Sequence, residues 1–309
     1  MRVLRGSWSG WGPATERSSI TVGVLDGVHR GHQALLTELD SGLLRTVLTF
    51  DPHPIEVLRP GTNPRLITTI DERIERLESL GIDQVGVLDL AGIKSLGPEE
   101  FVDEVLVRAL RVEDLVVGPD FRFGKGRAGD VELLQTLGRL RGFSVRVLDL
   151  IHDDEGVVSS SRIRGMVESG RLRDAESALD SRYQMSNIVV RGDGRGSEIG
   201  FPTANLMPPA RKVIPAIGVY AAFAQVGGEV HQAAVNVGVR PTFGGGDLLV
   251  EAHVLGFSDE IYDEVMTIEF VDFLRPELKF NGVGDLIAAM RSDVEETRSR
   301  LAATATNMS

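Results

Sequence analysis

The chain has 309 residues, of which 42% are hydrophobic, and it carries a formal net charge of −12 at pH 7. This length is enough for a large core and favours two domains over one. The chain has no cysteine, which excludes disulfides, thiolate nucleophiles and cysteine-ligated metal sites. Divided after residue 182, both parts carry a charge of −6 and neither has a basic run, so we expect no nucleic-acid partner.

The N-terminal sequence MRVLRGSWSGWGPATERSS has no apolar segment of the kind found in signal peptides. Elsewhere no stretch approaches the roughly 20 apolar residues that a membrane-spanning helix needs. We therefore expect a cytoplasmic protein without a membrane partner. The sequence leaves the oligomeric state open.

From residue 19 to about residue 150, short aliphatic runs alternate with longer amphipathic segments. The runs predict strands at ITVGVL, TVLTF, DQVGVLDL, DLVVG and SVRVLDL. The amphipathic segments predict helices over residues 32–39, 71–80, 98–109 and 130–141. This alternation predicts a doubly wound α/β domain, in which ligands bind beyond the carboxyl ends of parallel strands. Three unusual segments, GVLDGVHRGH, TFDPHP and VVGPDFRFGKGRAGD, begin where predicted strands end.

A helical stretch is predicted over residues 160–178, and the pattern changes at Tyr183. The segments MSNIVVRG, GVYAAFAQV, VHQAAVNVG, LLVEAHVL and MTIEFVDFL predict the strands of a small antiparallel barrel. A closing helix is predicted over residues 285–301, with one buried face formed by Leu286, Ile287, Met290, Val294 and Leu301. We predict two domains, 1–182 and 183–309.

In GVLDGVHRGH, a turn at Asp26-Gly27 precedes a helix predicted to begin near His29. His29 and His32 are three residues apart, so they share one helix face at an N-terminus that favours phosphate. Gly23, Gly27 and Gly31 allow a nucleotide to approach the backbone closely. Taken alone, such a histidine pair is more often solvated surface or half of a zinc site, but this chain offers few further zinc ligands.

A second glycine-rich segment, GDGRGSEIGFPTAN, places Gly192, Gly194, Gly196 and Gly200 before Pro-Thr-Ala-Asn. Such a segment is typical of a backbone nest that binds an anion, or of a hairpin between barrel strands. Farther along, Glu251 lies among aliphatic residues in LLVEAHVL. Strand alternation leaves open whether its carboxylate lines a pocket or faces solvent.

These motifs resemble those of bacterial bifunctional riboflavin kinase/FAD synthetases, whose first half is an HxGH nucleotidylyltransferase. GVLDGVHRGH, TFDPHP, VVGPDFRFGKGRAGD and VSSSRIR occur in the order of the adenylyltransferase half, and GFPTAN matches the kinase half. The resemblance implies a Rossmann-like domain followed by a small β-barrel domain with a C-terminal helix. It also implies ATP-dependent phosphorylation of riboflavin to FMN, and adenylylation of FMN to FAD with release of pyrophosphate.

In the adenylyltransferase half, the resemblance implies that His29, His32 and Arg164 stabilise the phosphates during transfer. It extends the ATP and phosphate contacts to Gly23, Asp26, Gly27, Gly31, Ser159, Ser160 and Ser161. The three serines equally fit simple capping of the next helix. The flavin contacts implied here are His53, Asp120 and Phe121, although His53 also fits a rigid loop between two prolines and Asp120 a turn beside Pro119.

In the kinase half, the resemblance implies that Thr203 and Asn205 supply oxygen ligands to Mg²⁺ on the ATP phosphates. Glu251 is then the base that accepts the proton of the riboflavin hydroxyl. The phosphate contacts are assigned to Gly192, Gly194, Gly196 and Gly200, and further flavin contacts to Asn236 and Arg240. Arg275 and Lys279 match the family pattern too, but equally fit surface charges.

The chain departs from the family pattern at a few positions beside these motifs. Leu25 replaces a phenylalanine, the interdomain Gly-Arg-Pro-Tyr is Asp180-Ser181-Arg182-Tyr183, an aspartate is Gly256, and a glycine is Asp263. The short segment after His32 predicts a trimmed first helix. These departures support an alternative, a flavin-nucleotide binding or regulatory protein with one or both sites degenerate. An RNA-directed HxGH enzyme conflicts with the evenly acidic charge.

Overall fold

The structure is a computed structural model that describes residues 1–192, 194–240 and 247–306, with only the backbone described at Arg195, Arg240, Asp247 and residues 303–306. It divides into two compact units, Met1–Ser160 and Ser161–Ser309. Among the described residues, no helix combines the length and apolar character needed to cross a bilayer.

The first unit is built on a six-stranded sheet in which every pairing is parallel. Its strands are β1 (Arg2–Leu4), β2 (Ser18–Val22), β3 (Leu44–Phe50), β4 (Gln84–Leu88), β5 (Val112–Val117) and β6 (Ser144–Val147). They lie in the order β1-β4-β3-β2-β5-β6. The chain moves outward in one direction from β2 through β3 to β4, and in the other from β5 to β6. This confirms the predicted doubly wound α/β fold and puts its switch point between β2 and β5.

Helices cover the sheet. They are α1 (Arg30–Thr37), α2 (Pro54–Leu58), α3 (Ile70–Ser79), α4 (Leu90–Ile93), α5 (Pro98–Phe101) and α6 (Val131–Arg141). A π-helix, Val102–Ala109, continues α5; 3₁₀ turns lie at Trp8–Gly10 and Lys125–Arg127, and a hairpin joins β7 (His152–Asp153) to β8 (Gly156–Val157). The four long predicted helices are confirmed, and their ends follow capping chemistry. Thr69 caps α3 in a capping box with Glu72, and Gly142 ends α6 with a φ of 81°.

Both faces of the sheet are buried. Successive residues of one strand enter different apolar clusters: Leu48 packs with Leu115 on one face, and the preceding Val47 packs with Val116 on the other. Because side chains of a strand alternate between the faces, two clusters require helices on both sides. The aliphatic runs in the sequence have this origin.

The second unit begins with most of α7 (Ser160–Glu168), followed by α8 (Leu172–Leu179). A closed antiparallel barrel follows, with strands β9 (Tyr183–Val190), β10 (Ala204–Leu206), β11 (Gly218–Val226), β12 (Glu229–Arg240), β13 (Asp247–Val254) and β14 (Val265–Arg275). Their order is β10-β13-β12-β11-β14-β9. Two further helices are α9 (Arg195–Glu198) and α10 (Val283–Thr306). The predicted barrel with a C-terminal helix is confirmed.

Helix α10 packs on the outside of the barrel. Its Leu301 is buried against Ala221 of β11 and Val271 of β14. The neighbouring Ala222 is fully buried but belongs to the opposite face of β11. The face of β11 that carries Ala221 is therefore the outer face of the barrel, and it packs against α10.

The departures from the family pattern coincide with left-handed backbone. Asp180 ends α8 with a φ of 54°, and Asp263 has a φ of 68° in the turn before β14. These are conformations that glycine adopts without strain. Gly256 has a φ of 72° and Leu25, which is buried, a φ of 51°. The turn at residue 180 therefore forms without the glycine usual there.

Candidate functional sites

Three of the segments singled out in the sequence lie at the carboxyl ends of strands in the parallel sheet. GVLDGVHRGH follows β2, TFDPHP spans the end of β3, and the GPDF segment follows β5. Strands β3, β2 and β5 are neighbours. Their carboxyl ends therefore bring the three loops together at the switch point, where open α/β sheets bind ligands.

The histidine pair lies at the start of α1. His29 is the residue before the first helical turn, which begins at Arg30. The two imidazole rings are stacked, with centroids 3.6 Å apart and planes 21° from parallel. A Cβ atom at Gly31 would lie 3.1 Å from Cε1 of His29, tighter than most such contacts. The glycine between the histidines therefore leaves room for the His29 ring.

The surroundings of His32 disfavour its protonated form. Burial is the largest effect that lowers the pKa of His32, followed by the nearby His29 and Arg73. Its Nδ1 has no hydrogen-bond partner within the described part of the chain. A phosphate at this position would offset these effects, because a negative charge beside an imidazole favours its protonated form.

Asp26 is 2% exposed, and its carboxylate accepts hydrogen bonds from the backbone N–H groups of Ile67, at 2.9 Å, and Thr68, at 3.0 Å. It also pairs with the buried guanidinium of Arg73, 3.8 Å away. The Gly27 N–H donates to the Thr68 hydroxyl at 3.0 Å. These contacts fix the loop between β2 and α1. A direct contact between Asp26 and phosphate stays a prediction.

The serine run lies where the first unit ends. Ser159 directly precedes α7, and the Ser160 hydroxyl donates to the Asp26 carbonyl at 2.9 Å. In the second unit, Arg164 donates to the Ser161 hydroxyl at 3.0 Å. Ser160 therefore holds the loop after β2, while phosphate contacts of the three serines and Arg164 stay predictions.

The predicted flavin residues of the first unit occupy the loops after β3 and β5. His53 caps α2, where its Nδ1 accepts from the Ile55 N–H at 3.2 Å. Phe121 stacks on the buried Phe123, with centroids 5.7 Å apart, and Asp120 is exposed. The β5 loop thus offers an aromatic surface with an adjacent carboxylate.

The second unit contains a cavity of about 600 Å³ lined by strand residues, by the β9–β10 connection and by α10. Across its strands, Val219, Asn236, Glu251 and Asn205 are successive register partners. Neighbouring residues in register point to the same face of a sheet. Asn236, Glu251 and Asn205 therefore form a polar row that lines the cavity. Of the two orientations left open by the sequence, Glu251 takes the one toward a pocket.

The apolar face predicted for the last helix covers this cavity. Leu286, Met290 and Val294 of α10 line it, while Leu301 packs deeper against the barrel. Sequence periodicity predicted these positions as buried, and Leu301 is buried whereas Leu286, Met290 and Val294 are half-buried. It did not show that part of the face closes a pocket rather than a solid core.

The glycine-rich segment connects β9 to β10, which are antiparallel neighbours, so it is a hairpin connection that also lines the cavity. Gly194 and Gly200 are left-handed, with φ values of 73° and 86°. A Cβ at Gly192 would lie 2.3 Å from Nδ2 of Asn205, and one at Gly196 would lie 2.3 Å from the Phe201 carbonyl oxygen. These two glycines permit close approach of the connection to GFPTAN.

Thr203 and Asn205, the predicted metal ligands, line the same cavity. Asn205 is 6% exposed, and its Nδ2 donates to the Thr203 carbonyl at 3.3 Å. Nowhere in the described ranges do three His, Asp or Glu side chains gather as a metal site. The Thr203 hydroxyl and the Asn205 amide oxygen suit a hard cation. Such a cation needs few protein ligands when it binds together with the ATP phosphates.

Among the cavity residues, sequence reasoning missed His253 and Glu277. His253 lies two residues beyond Glu251, and this spacing on one strand puts both on the same face. Arg275, which the sequence left open as a family-pattern residue or a surface charge, forms a two-pronged ion pair with Asp293 of α10 at 2.7 and 2.6 Å. Asn236 donates to Glu277 at 3.4 Å. Arg240 ends β12, and its side chain lies outside the described residues.

The two halves of the chain match two known families. The FAD synthetase family matches residues 12–162, and the riboflavin kinase family matches residues 179–301. Whole-length relatives are named bifunctional riboflavin kinase/FMN adenylyltransferase. The Listeria monocytogenes protein is 38% identical over 91% of both chains. The Escherichia coli K12 protein is 35% identical over 95% of this chain and 96% of its own.

A solved structure from Streptococcus pneumoniae, described as a macrolide-efflux protein, shares the fold with a TM-score of 0.88. The two chains are 28% identical, and the match covers 96% of this chain and 99% of the other. The relatives and both family matches agree over nearly the whole sequence. This chain therefore belongs to the family of bifunctional riboflavin kinase/FMN adenylyltransferases.

Proposed function

We propose that riboflavin phosphorylation takes place in the cavity of the second unit. We propose that adenylyl transfer takes place at the loops that follow β2, β3 and β5 in the first unit. The activities themselves follow from the family: the enzyme phosphorylates riboflavin to FMN and adenylylates FMN to FAD, using ATP in both reactions. The family matches in both halves give no support to the degenerate alternative. We retain residue 182 as the boundary between the two catalytic domains.

The polar row in the cavity carries the kinase assignment. Glu251 lies in register between Asn205 and Asn236, so a carboxylate flanks both a predicted metal ligand and a predicted flavin contact. Transfer of a phosphoryl group to a primary alcohol requires the hydroxyl proton to leave, and a carboxylate within hydrogen-bond reach accepts it. Glu251 is the proposed base, and the four glycines from 192 to 200 are the proposed phosphate contacts.

Enzymes of this kind use a divalent cation with ATP, and we propose Mg²⁺ at Thr203 and Asn205. The oxygen donors of these side chains fit its preference, since Mg²⁺ favours oxygen and keeps substrate phosphates and water as its remaining ligands. The cation would neutralise charge on the transferred phosphate. The protein's part is to hold these two ligands, and β10 with the close approach of Gly192 holds Asn205.

For adenylyl transfer we propose the stacked His29 and His32 as hydrogen-bond donors to the ATP phosphates, with Arg164 as a further phosphate contact. FMN attacks the α-phosphorus with a phosphate oxygen, and the bond to the leaving pyrophosphate breaks. No covalent enzyme intermediate is needed. Stabilisation of charge on the phosphates is therefore the task left to the protein. The loops of His53, Asp120 and Phe121 are the proposed flavin contacts, and the cytoplasm is the proposed location.

Purified protein incubated with riboflavin, ATP and Mg²⁺, followed by chromatography of the flavins, tests these assignments. Glu251→Gln keeps the shape of the side chain but not its basicity, and should abolish FMN formation while supplied FMN is still converted to FAD. The His29→Ala/His32→Ala double variant should show the opposite loss. Glu229→Gln, on β12 but outside the cavity, is the matched control. Loss of both activities in both variants would refute the two-site assignment.

A further inference from the structure

His253 lies on the cavity face of β13 and holds the backbone of the GFPTAN segment. Its Nδ1 is 2.8 Å from the carbonyl oxygen of Pro202. That carbonyl belongs to the peptide that joins Pro202 to Thr203, the first of the proposed metal ligands. The imidazole also meets the Phe201 ring edge to face, with centroids 5.3 Å apart. One side chain thus contacts both residues before Thr203.

A carbonyl oxygen only accepts hydrogen bonds, so Nδ1 of His253 carries the proton and donates it. This holds for the neutral Nδ1–H form and for the doubly protonated form alike. The bond therefore persists whichever of these forms is present. In the neutral form Nε2 carries no proton, and the orientation of the ring is set by Nδ1.

The second anchor of the segment is the pairing of β10 with β13, in which Asn205 is opposite Glu251. This pairing begins at Ala204, so Thr203 is outside the strand. Backbone hydrogen bonding to β13 therefore holds Asn205 in place but does not hold Thr203. The hydrogen bond to Pro202 comes from the same strand, β13, and it fixes the peptide that Thr203 follows.

We propose that His253 is a positioning residue for riboflavin phosphorylation: through Nδ1–H it fixes the Pro202–Thr203 peptide and so sets the Thr203 oxygen for the cation–ATP complex. This inference rests on the proposed kinase site. His253 touches neither riboflavin nor phosphate in this scheme. Its effect is on use of the cation and ATP, because groups that orient metal ligands typically change metal affinity or activity about 10- to 100-fold.

Two substitutions separate the hydrogen bond from the mere presence of a side chain. Asparagine places its amide N–H₂ near the position of Nδ1, whereas glutamine places it near that of Nε2. His253→Asn should therefore retain the bond to Pro202, and His253→Gln should lose it. A matched control is His231→Gln on β12, since His231 lies outside the cavity.

The test is a steady-state kinase assay of the full-length protein in which the Mg²⁺ and ATP concentrations are varied separately from that of riboflavin. The rate of FMN adenylylation and the midpoint of thermal unfolding are measured for the same variants. In His253→Gln, we expect a rise of about 10-fold or more in the Mg²⁺ and ATP concentrations for half-maximal rate. The KM for riboflavin, FMN adenylylation and the thermal midpoint should change little, and His253→Asn should restore cation and ATP use.

Equal defects in His253→Asn and His253→Gln would overturn the proposal, as would a defect confined to riboflavin KM or one explained by a lower thermal midpoint. Normal kinetics in His253→Gln would also overturn it. Glu251→Gln, assayed in parallel, separates this inference from the kinase site itself. If Glu251→Gln is inactive while His253→Gln is normal, only the positioning role is wrong; if both are fully active, the kinase site is misplaced.

Discussion

Gly192→Ala should disable the kinase reaction without disturbing adenylyl transfer. The φ of Gly192 is not among the left-handed values, so alanine meets no backbone obstacle there. Its added Cβ would lie 2.3 Å from Nδ2, 2.6 Å from Cγ and 2.7 Å from Oδ1 of Asn205, whereas ordinary contacts begin at 3.4 Å. The whole amide of Asn205 must therefore move by roughly 1 Å.

Asn205 has little freedom to make this movement. It is 6% exposed and lies in β10, which pairs with β9 on one side and β13 on the other. A misplacement of about 1 Å in a group that positions substrate costs on the order of 100-fold in rate, or about 2.7 kcal/mol of transition-state stabilisation. We expect a loss of this size in kcat/KM for riboflavin phosphorylation.

The assay is flavin chromatography with saturating Mg²⁺ and ATP, in which FMN formation and FAD formation are followed in the same protein. Gly284→Ala is the matched control, since it lies in the same unit, has no left-handed φ and has no atom within 4 Å of the added Cβ. Kinase activity of Gly192→Ala within a few-fold of wild type would refute the proposed role of Asn205, as would an equal loss in Gly284→Ala.

Three further predictions concern stability. Asp263→Gly should stabilise the protein by up to about 1 kcal/mol, because it relieves a left-handed aspartate, and thermal unfolding measures this. Thr297→Val should raise the free energy of unfolding by about 1 kcal/mol, and with it the thermal midpoint, since the fully buried Thr297 hydroxyl has no partner among the residues described. Stability should fall as the pH drops below 6.5, because the pKa of His32 lies below that value in the folded state and the unfolded chain then binds more protons. His32→Gln should remove this component, at most about 1.4 kcal/mol per pH unit, from urea unfolding measured between pH 8 and pH 5.

Each of these has a control. Asp154→Gly removes an exposed aspartate whose φ is not left-handed, and should not stabilise. Thr37→Val removes an exposed hydroxyl that donates to the Gln33 carbonyl at 3.0 Å, and should not raise the midpoint. Equal gains in the controls would contradict the reasoning for Asp263 and Thr297. Identical pH dependence in wild type and His32→Gln would contradict that for His32.

The sequence predicted the elements whose pattern repeats over many residues. Five of the six sheet strands of the first unit, four long helices and the long barrel strands were all predicted, because burial on one or both faces leaves a regular apolar pattern. Short elements escaped. Strands β1 and β10 have three residues each, and α2, α4 and α9 have four or five, which is too short for a period to be counted.

At the sites, sequence reasoning identified side chains from motifs but not from their surroundings. It found His29 and His32, but it could not show that burial and the positive charge of Arg73, a residue distant in sequence, both lower the pKa of His32. It named Glu251 but not His253, whose partner at Pro202 is 51 positions away. Nor could it pair Arg275 with Asp293, because the position of α10 against the barrel decides that contact.

Strand β1 has a consequence for how the first unit behaves in concentrated solution. The three residues Arg2–Leu4 form one edge of the sheet, and beyond them lies β4, five buried residues with the sequence QVGVL. An apolar strand with unpaired backbone groups is a template for edge-to-edge aggregation, whereas a short edge strand bearing a charge discourages it. Arg2 supplies that charge. Removal of the first few residues, or a tag that displaces them, would leave β4 as an unpaired edge strand and promote aggregation, even though every residue of the two sites remained in place.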